Sequence, residues 1–225
     1  MKLPEFTKSF EYENNFFLSC DSARIGKTIA QYELYKMSSE LPGAIVECGV
    51  FKGISLCRFA MFRELIGNRF SKKIIGFDVF GKFPKTNFSD DKKSRKKFIV
   101  EAGLEGISKE QLLEVLKHKN VDSFIELVKG DITKTVPKYV KEHPELRISL
   151  LNIDVDIYEP AVTVLTHLYP RVVPGGIILL DDYGVFAGET KAVEEYFASQ
   201  KIEIKKFPYS MTPSFIIKPK DNKKK

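Results

Sequence analysis

From residue 44 onward the sequence alternates short apolar runs with longer stretches of helical periodicity. Runs rich in β-branched residues predict five strands, at 44–50, 73–80, 124–131, 148–154 and 176–183. Amphipathic patterns that predict helices lie between and after them, at 55–66, 108–119, 135–143, 158–172 and 188–200. This order is typical of an α/β protein with a parallel sheet and helices on both faces.

Two further strand-like runs follow the last helix, at 202–208 and 214–219, and the short "YSMT" between them predicts an antiparallel hairpin. The sequence therefore predicts a seven-stranded, mostly parallel sheet that ends in this hairpin. Residues 1–43 precede the sheet, and their apolar spacing predicts a helix from Ser22, its expected N-cap, that packs on the sheet or covers its ligand edge. The polar segment 81–97 interrupts the alternation and is a candidate lid.

Composition fits one globular domain at 44–219, because 43% of the 225 residues are hydrophobic. The net charge of +6 does not indicate a nucleic-acid partner: the last eight residues hold five Lys and one Asp, and account for four of the six charges. We expect residues 220–225 to form a solvated basic tail. Three scattered cysteines and the lack of a signal peptide or an apolar span favour a cytoplasmic protein without membrane contact.

Polar residues follow the ends of the predicted strands. In an open parallel sheet the ligand lies beyond the carboxyl ends of the strands, so these residues are the candidate site. They are Glu47, Gly49, Gly53 and Ser55 at the first strand, Asp78 at the second, Asp131 at the third, Asp154 and Asp156 at the fourth, and Asp181 and Asp182 at the fifth. Any one acid could cap a helix, but acids at four consecutive strand ends favour a binding site.

Three of these acids, Asp154, Asp181 and Asp182, follow strands that are neighbours in sequence. Such a cluster is stable only if a cation neutralises it or protons remain bound. Carboxylate oxygens select magnesium or calcium over zinc. The three histidines fall in predicted helices away from this edge, which shifts the role of general base toward a carboxylate.

Two glycine motifs do not identify the ligand. The "RIGKT" at 24–28 resembles the end of a phosphate loop, but Asp21 stands where that loop needs a glycine. Gly49 and Gly53 give only GxxxG, which disfavours a nicotinamide cofactor.

Four longer segments together resemble the macrocin O-methyltransferase family, in the order that the family shows. They are "ARIGKTIAQYELYKMSSELPGAIVECGVFKGIS", "GFDVFGKFP", "NIDVDIYEP" and "LLDDYGVFAGETKAVEEYF". The resemblance implies a Rossmann-like class I fold and an S-adenosylmethionine-dependent enzyme that methylates a sugar hydroxyl. It also implies a divalent metal, magnesium or another hard cation.

The same resemblance implies roles for individual residues. Glu47, Gly49 and Ser55, at the turn that also contains Gly53, would hold the methionine part of the cofactor. Asp78 would take the ribose hydroxyls, and Asp131 and Ile132 would border the adenine. Asp154, Asp181 and Asp182 would bind the metal, with Asp154 also the general base.

Two other functions stay open at this stage. One is a metal-dependent methyltransferase of catechol-like acceptors, although the polar segment 81–97 suits a sugar or charged acceptor better. The other is a non-catalytic nucleotide-binding module of the same fold. We expect a small hydroxylated acceptor as partner, and a homo-oligomer is compatible with the sequence.

Overall fold

A seven-stranded sheet in the order β3-β2-β1-β4-β5-β7-β6 forms the centre of the computed structural model, which describes residues 1–220. Its strands are β1 Ala44–Cys48, β2 Ile74–Asp78, β3 Ile125–Lys129, β4 Ile148–Ile153, β5 Val172–Leu180, β6 Lys205–Lys206 and β7 Ser214–Ile217. The first five strands pair in parallel, and β7 pairs antiparallel with both β5 and β6. The predicted mostly parallel sheet with a C-terminal hairpin is thus confirmed.

Eight α-helices and two short 3₁₀ segments complete the described part of the chain. The helices are α1 Ser9–Ser19, α2 Ser22–Ser38, α3 Ile54–Ile66, α4 Asp91–Ala102, α5 Lys109–His118, α6 Ile132–Glu142, α7 Tyr158–Leu168 and α8 Ala187–Phe197. The 3₁₀ segments are Phe6–Lys8 and Tyr169–Arg171. Within residues 1–220, no helix combines the length and the apolar character needed to cross a bilayer.

Two apolar layers hold the helices against the sheet. Side chains of α6, α7 and α8, such as Val136, Val164 and Val193, pack on one face. Side chains of α2, α3 and α5, such as Leu34 and Phe59, pack on the other. β1 and β4 are buried along their whole length because both faces are covered, which explains their near-continuous apolar sequences.

Three local predictions were wrong. The N-cap of α2 is Asp21 rather than Ser22, since the Asp21 carboxylate accepts hydrogen bonds from the N–H groups of Ala23 and Arg24. The segment 81–97 is not one loop, because α4 begins at Asp91. The seventh helix ends at Leu168, and β5 already begins at Val172. The predicted basic tail, apart from Lys220, lies outside the described residues.

Candidate active site

Two cavities open at the carboxyl ends of the parallel strands. The first has a volume of about 340 Å³ and is lined by Gly49, Asp78, Asp131 and Ile132, among others. The second, of about 1020 Å³, lies under α2, α3 and α4. Phe51, Asp154 and Asp156 line both cavities. A ligand in each cavity would therefore meet the other beside Asp154.

The turn after β1 brings the fourth strand close to the first. Gly49 has a φ of +89°, and a Cβ atom there would lie 1.7 Å from the carbonyl oxygen of Asp154. Only glycine allows this approach. Gly53 has a φ of +79° and precedes α3, where a Cβ atom would lie 2.7 Å from Cδ1 of Leu112. Both glycines thus position the turn, and their contact with a cofactor stays a prediction.

Glu47 and Ser55 form a buried pair below this turn. The Ser55 hydroxyl donates to Oε1 of Glu47, and Oε2 has no hydrogen-bond partner among the described residues. Burial raises the pKa of Glu47 to about 8, although the Ser55 hydrogen bond acts in the opposite direction. Ser55 lines the second cavity, so a ligand there could reach this pair.

The raised pKa of Glu47 predicts that the stability of the fold depends on pH. Its pKa in the folded chain lies above the ordinary 4.5, so folding binds a proton in this range and stability falls as pH rises toward 8. Glu47→Gln should flatten the dependence by up to about 1.4 kcal/mol per pH unit. Urea unfolding of the ligand-free protein across this range measures it, with the exposed Glu114→Gln as control. An unchanged slope in Glu47→Gln would contradict the assignment.

Asp78 lies at the end of β2, where the sequence placed it, but its carboxylate is already engaged. Oδ2 accepts from the backbone N–H groups of Val50 and Phe51, at 2.9 and 3.0 Å, and Oδ1 accepts from Phe80 at 2.5 Å. Burial raises the pKa of Asp78, and these hydrogen bonds limit the rise. Asp78 therefore ties the first and second strand ends together while it lines the first cavity.

Asp131 and Ile132 border the same cavity from the start of α6. Asp131 is the N-cap of this helix, and its Oδ1 accepts from the N–H and the hydroxyl of Thr133. Ile132 is buried beside it. The cap explains the position of Asp131 in the fold, and its predicted place beside the adenine stays a prediction.

The structure brings the three predicted metal ligands together. One oxygen from each of Asp154, Asp181 and Asp182 lies within 4.8 Å of the others. Oδ1 of Asp181 is buried and has no hydrogen-bond partner within the described chain. Burial raises the pKa of Asp154 and of Asp182, and the nearby charge of Asp181 adds to the rise. The oxygens and the unpartnered atom fit a hard divalent cation.

Lys27 on α2 is the residue of this site that sequence reasoning missed. Its Nζ lies 2.6 Å from Oδ2 of Asp181, and the charges of Asp181 and Asp154 raise the pKa of Lys27 against the opposing effect of burial. Lys27 lies on the face of α2 that also holds the buried Ala30, Gln31 and Leu34, and this burial is visible in the structure but not in the sequence pattern. A lysine on an otherwise buried face indicates a paired charge.

Asp156 lies just before the start of α7 but does not cap that helix. The N-cap residue is Ile157, and the first helical N–H, that of Tyr158, donates to Oδ2 of Asp91 at 2.9 Å. Asp156 has a φ of +60°, and its own N–H donates to Oδ2 of Asp182. It therefore belongs to the carboxylate cluster, and burial raises its pKa.

The candidate lid is attached to the helices on the far side of the site. Thr86 and Asn87 donate to the carboxylate of Glu159, and Asp91 accepts from the N–H groups of Tyr158 and Gly188. These contacts place the segment over the first cavity, which Phe83, Pro84 and Asn87 help to line. Its opening and closing stay a prediction.

Known proteins share this architecture. The family model described as macrocin-O-methyltransferase matches residues 28–208. Mycinamicin III 3''-O-methyltransferase of Micromonospora griseorubida is 29% identical over 161 residues, which are 69% of this chain and 61% of that protein. The 8-demethyl-8-(2,3-dimethoxy-alpha-L-rhamnosyl)-tetracenomycin-C 4'-O-methyltransferase of Streptomyces olivaceus is 25% identical over 162 residues, 71% of this chain and 60% of that protein.

A solved calicheamicin methyltransferase has a similar fold, with a TM-score of 0.75 and 26% identity over 95% of this chain and 86% of that one. The chain spans about three-fifths of the length of the curated relatives that it matches. The match at 28–208 nevertheless includes every strand end from Glu47 to Asp182 that lines the two cavities. On this extent of similarity, the chain belongs to the macrocin O-methyltransferase family.

Proposed function

We propose that the protein transfers a methyl group from S-adenosylmethionine to a hydroxyl of a sugar or a sugar-containing small molecule, assisted by magnesium or another hard divalent cation. The observation that carries the proposal is the position of Asp154, which lines both cavities and lies beside Asp181 and Asp182. The rhamnosyl group in the name of the Streptomyces olivaceus relative supports a sugar acceptor.

The first cavity suits the nucleoside part of the cofactor. Asp78 lines it and can accept hydrogen bonds from the ribose hydroxyls, and Asp131 borders it beside Ile132, where the adenine would lie. Ile132 and Pro84 give it apolar walls for a purine ring. The methionine part would extend past Gly49 toward Ser55, because Ser55 lines the second cavity, which adjoins the first at Phe51, Asp154 and Asp156.

The second cavity suits the acceptor. A sugar hydroxyl is a poor nucleophile because it keeps its proton at neutral pH, and a divalent cation held by Asp154, Asp181 and Asp182 would acidify it. Asp154 is the carboxylate that can take this proton, since it alone of the three lines both cavities. Phe51, which also lines both, limits the access of water to the point where the two ligands meet.

Lys27 stabilises the carboxylate cluster of the ligand-free chain. Its ammonium group supplies one positive charge to Asp181 and lies near Asp154 and Asp182. This ammonium group would repel a hard cation bound by the same carboxylates. Through Lys27, helix α2 of the N-terminal segment contacts the carboxylate cluster.

Cofactor binding tests the proposal at its first step. Isothermal calorimetry should detect S-adenosylhomocysteine, and Asp78→Ala should weaken its binding at least about tenfold, since a charged acceptor of two hydroxyls contributes roughly 1.5–3 kcal/mol. Asp78→Asn serves as the partner variant, because it keeps one oxygen for the turn. Binding of NAD⁺ in place of S-adenosylhomocysteine would contradict the proposed function.

A further inference from the structure

Helices α2 and α3 bring several basic residues to the second cavity. Arg24, Lys27 and Gln31 are spaced along one face of α2, and Arg58 faces them from α3, one turn after Ser55. All five residues line the same cavity. These basic residues therefore share one cavity with Asp154, Asp181 and Asp182, and Lys27 is in contact with Asp181.

Most cations in this cavity already have a partner. Lys27 pairs with Asp181, Lys97 pairs with Glu101 at 3.8 Å, and Nζ of Lys52 donates to the carbonyl oxygen of Ala102 at 2.6 Å. These three side chains therefore do not require a ligand.

Arg24 and Arg58 differ from these lysines. Within residues 1–220, no Asp or Glu oxygen lies within 4.0 Å of either guanidinium group. Arg58 donates one hydrogen bond, from Nη1 to Oε1 of Gln31 at 3.0 Å. Burial and the neighbouring charge of Arg24 lower the pKa of Arg58. Two like charges thus face one cavity with no carboxylate in contact with either of them in the described part of the chain, an arrangement that an anion would stabilise.

Gln31 gives an independent sign of a missing ligand. Its side chain is fully buried, and while Oε1 accepts from Arg58, the Nε2 donor has no partner in the described part of the chain. A buried amide donor without an acceptor is unfavourable. An oxygen of a ligand between α2 and α3 would satisfy this donor and the two guanidinium groups together.

We propose that Arg24, Gln31 and Arg58 form a subsite for an anionic group with carboxylate or phosphate oxygens. The subsite adds an anion-binding role to the proposed function, and its two possible ligands, the cofactor and the acceptor, are those of the proposed function. The methionine carboxylate of the cofactor is one source, because Ser55 lies one turn before Arg58. A carboxylate or phosphate on the acceptor is the other, because the subsite and the carboxylate cluster line the same cavity of about 1020 Å³.

Calorimetry with Arg58→Gln and Arg24→Gln separates the two sources. Arg24 is exposed, so its replacement should leave the fold intact, and Arg69→Gln, exposed and outside both cavities, is the matched control. The first probes are S-adenosylhomocysteine and 5′-methylthioadenosine, which lacks the amino-acid part. If the cofactor supplies the anion, both variants lose about tenfold or more in affinity for the first probe and keep their affinity for the second.

The third probe is inorganic pyrophosphate, added to the protein with and without S-adenosylhomocysteine. If the acceptor supplies the anion, the variants keep their affinity for S-adenosylhomocysteine, whereas pyrophosphate binds the wild type and the Arg69→Gln protein about tenfold more tightly than the two variants. Variants that match Arg69→Gln with every probe would overturn the subsite. A wild type that binds pyrophosphate but not S-adenosylhomocysteine would keep the subsite and contradict the proposed function.

Discussion

Replacing Asp154 by Asn is expected to lower methyl transfer by about 10² to 10⁴, the range attributed to general-base catalysis. Asn keeps the size of the side chain but loses the charge and the basic oxygen at the point where the two cavities meet. Affinity for S-adenosylhomocysteine should change little, because the nucleoside contacts of Asp78 and Asp131 lie in the first cavity. Single-turnover rates together with calorimetry measure both quantities.

Asp122→Asn is the matched control for this variant, since Asp122 is exposed and lines neither cavity. Near-normal turnover in Asp154→Asn would show that Asp154 is not the general base. A parallel loss of cofactor binding would instead assign it to the binding of the cofactor.

Removal of divalent cations is expected to abolish turnover, and added magnesium should restore it. The cluster of Asp154, Asp181 and Asp182 offers three oxygens within 4.8 Å of one another, and burial disfavours the charged forms of Asp154 and Asp182 without a cation. Turnover in the presence of a chelator, followed by titration with magnesium, measures the effect. Full activity under chelation would leave Lys27 as the cation of this site.

Lys27→Met gives the same prediction a readout that does not depend on activity. The Lys27 ammonium group pairs with Oδ2 of Asp181 and repels a second cation at these carboxylates. Its removal should therefore tighten magnesium binding at least about tenfold, equivalent to about 1.4 kcal/mol. Calorimetric titration of magnesium into both proteins measures the difference. The exposed Lys36→Met, on the same helix, is the control.

Much of the fold could be predicted because its strands are buried on both faces. The continuous apolar runs of β1 and β4 follow from that burial, and the acids that end the strands were visible directly after them. α4 was not predicted, because its first half, "DKKSRKK", is charged at every position except Ser94 and shows no apolar period. Its start depends instead on Asp91, whose carboxylate accepts hydrogen bonds from two other helices.

The candidate site was predicted only where its residues follow strands. Parallel strands bring their carboxyl ends to one edge, so Asp154, Asp181 and Asp182 could be grouped without a structure. Lys27 and Arg24 lie on a helix that precedes the first strand, and they also precede the residues that the family model matches. Their contact with the cluster depends on how α2 packs, which no local pattern specifies. Asp78 and Asp131 follow β2 and β3 at the predicted edge of the sheet, but their hydrogen bonds within the fold were not predicted.

Transfer of a labelled methyl group to a sugar is the decisive measurement for the proposed reaction. S-Adenosylmethionine labelled on its methyl carbon is incubated with the protein, magnesium and a panel of free, nucleotide-linked and glycosidic sugars, and with catechol as the flat aromatic alternative. We expect a labelled methyl group on a hydroxyl oxygen of at least one sugar, with the label lost in Asp154→Asn and retained in Asp122→Asn. Label on catechol alone, or no transfer from a protein that binds the cofactor, would contradict it.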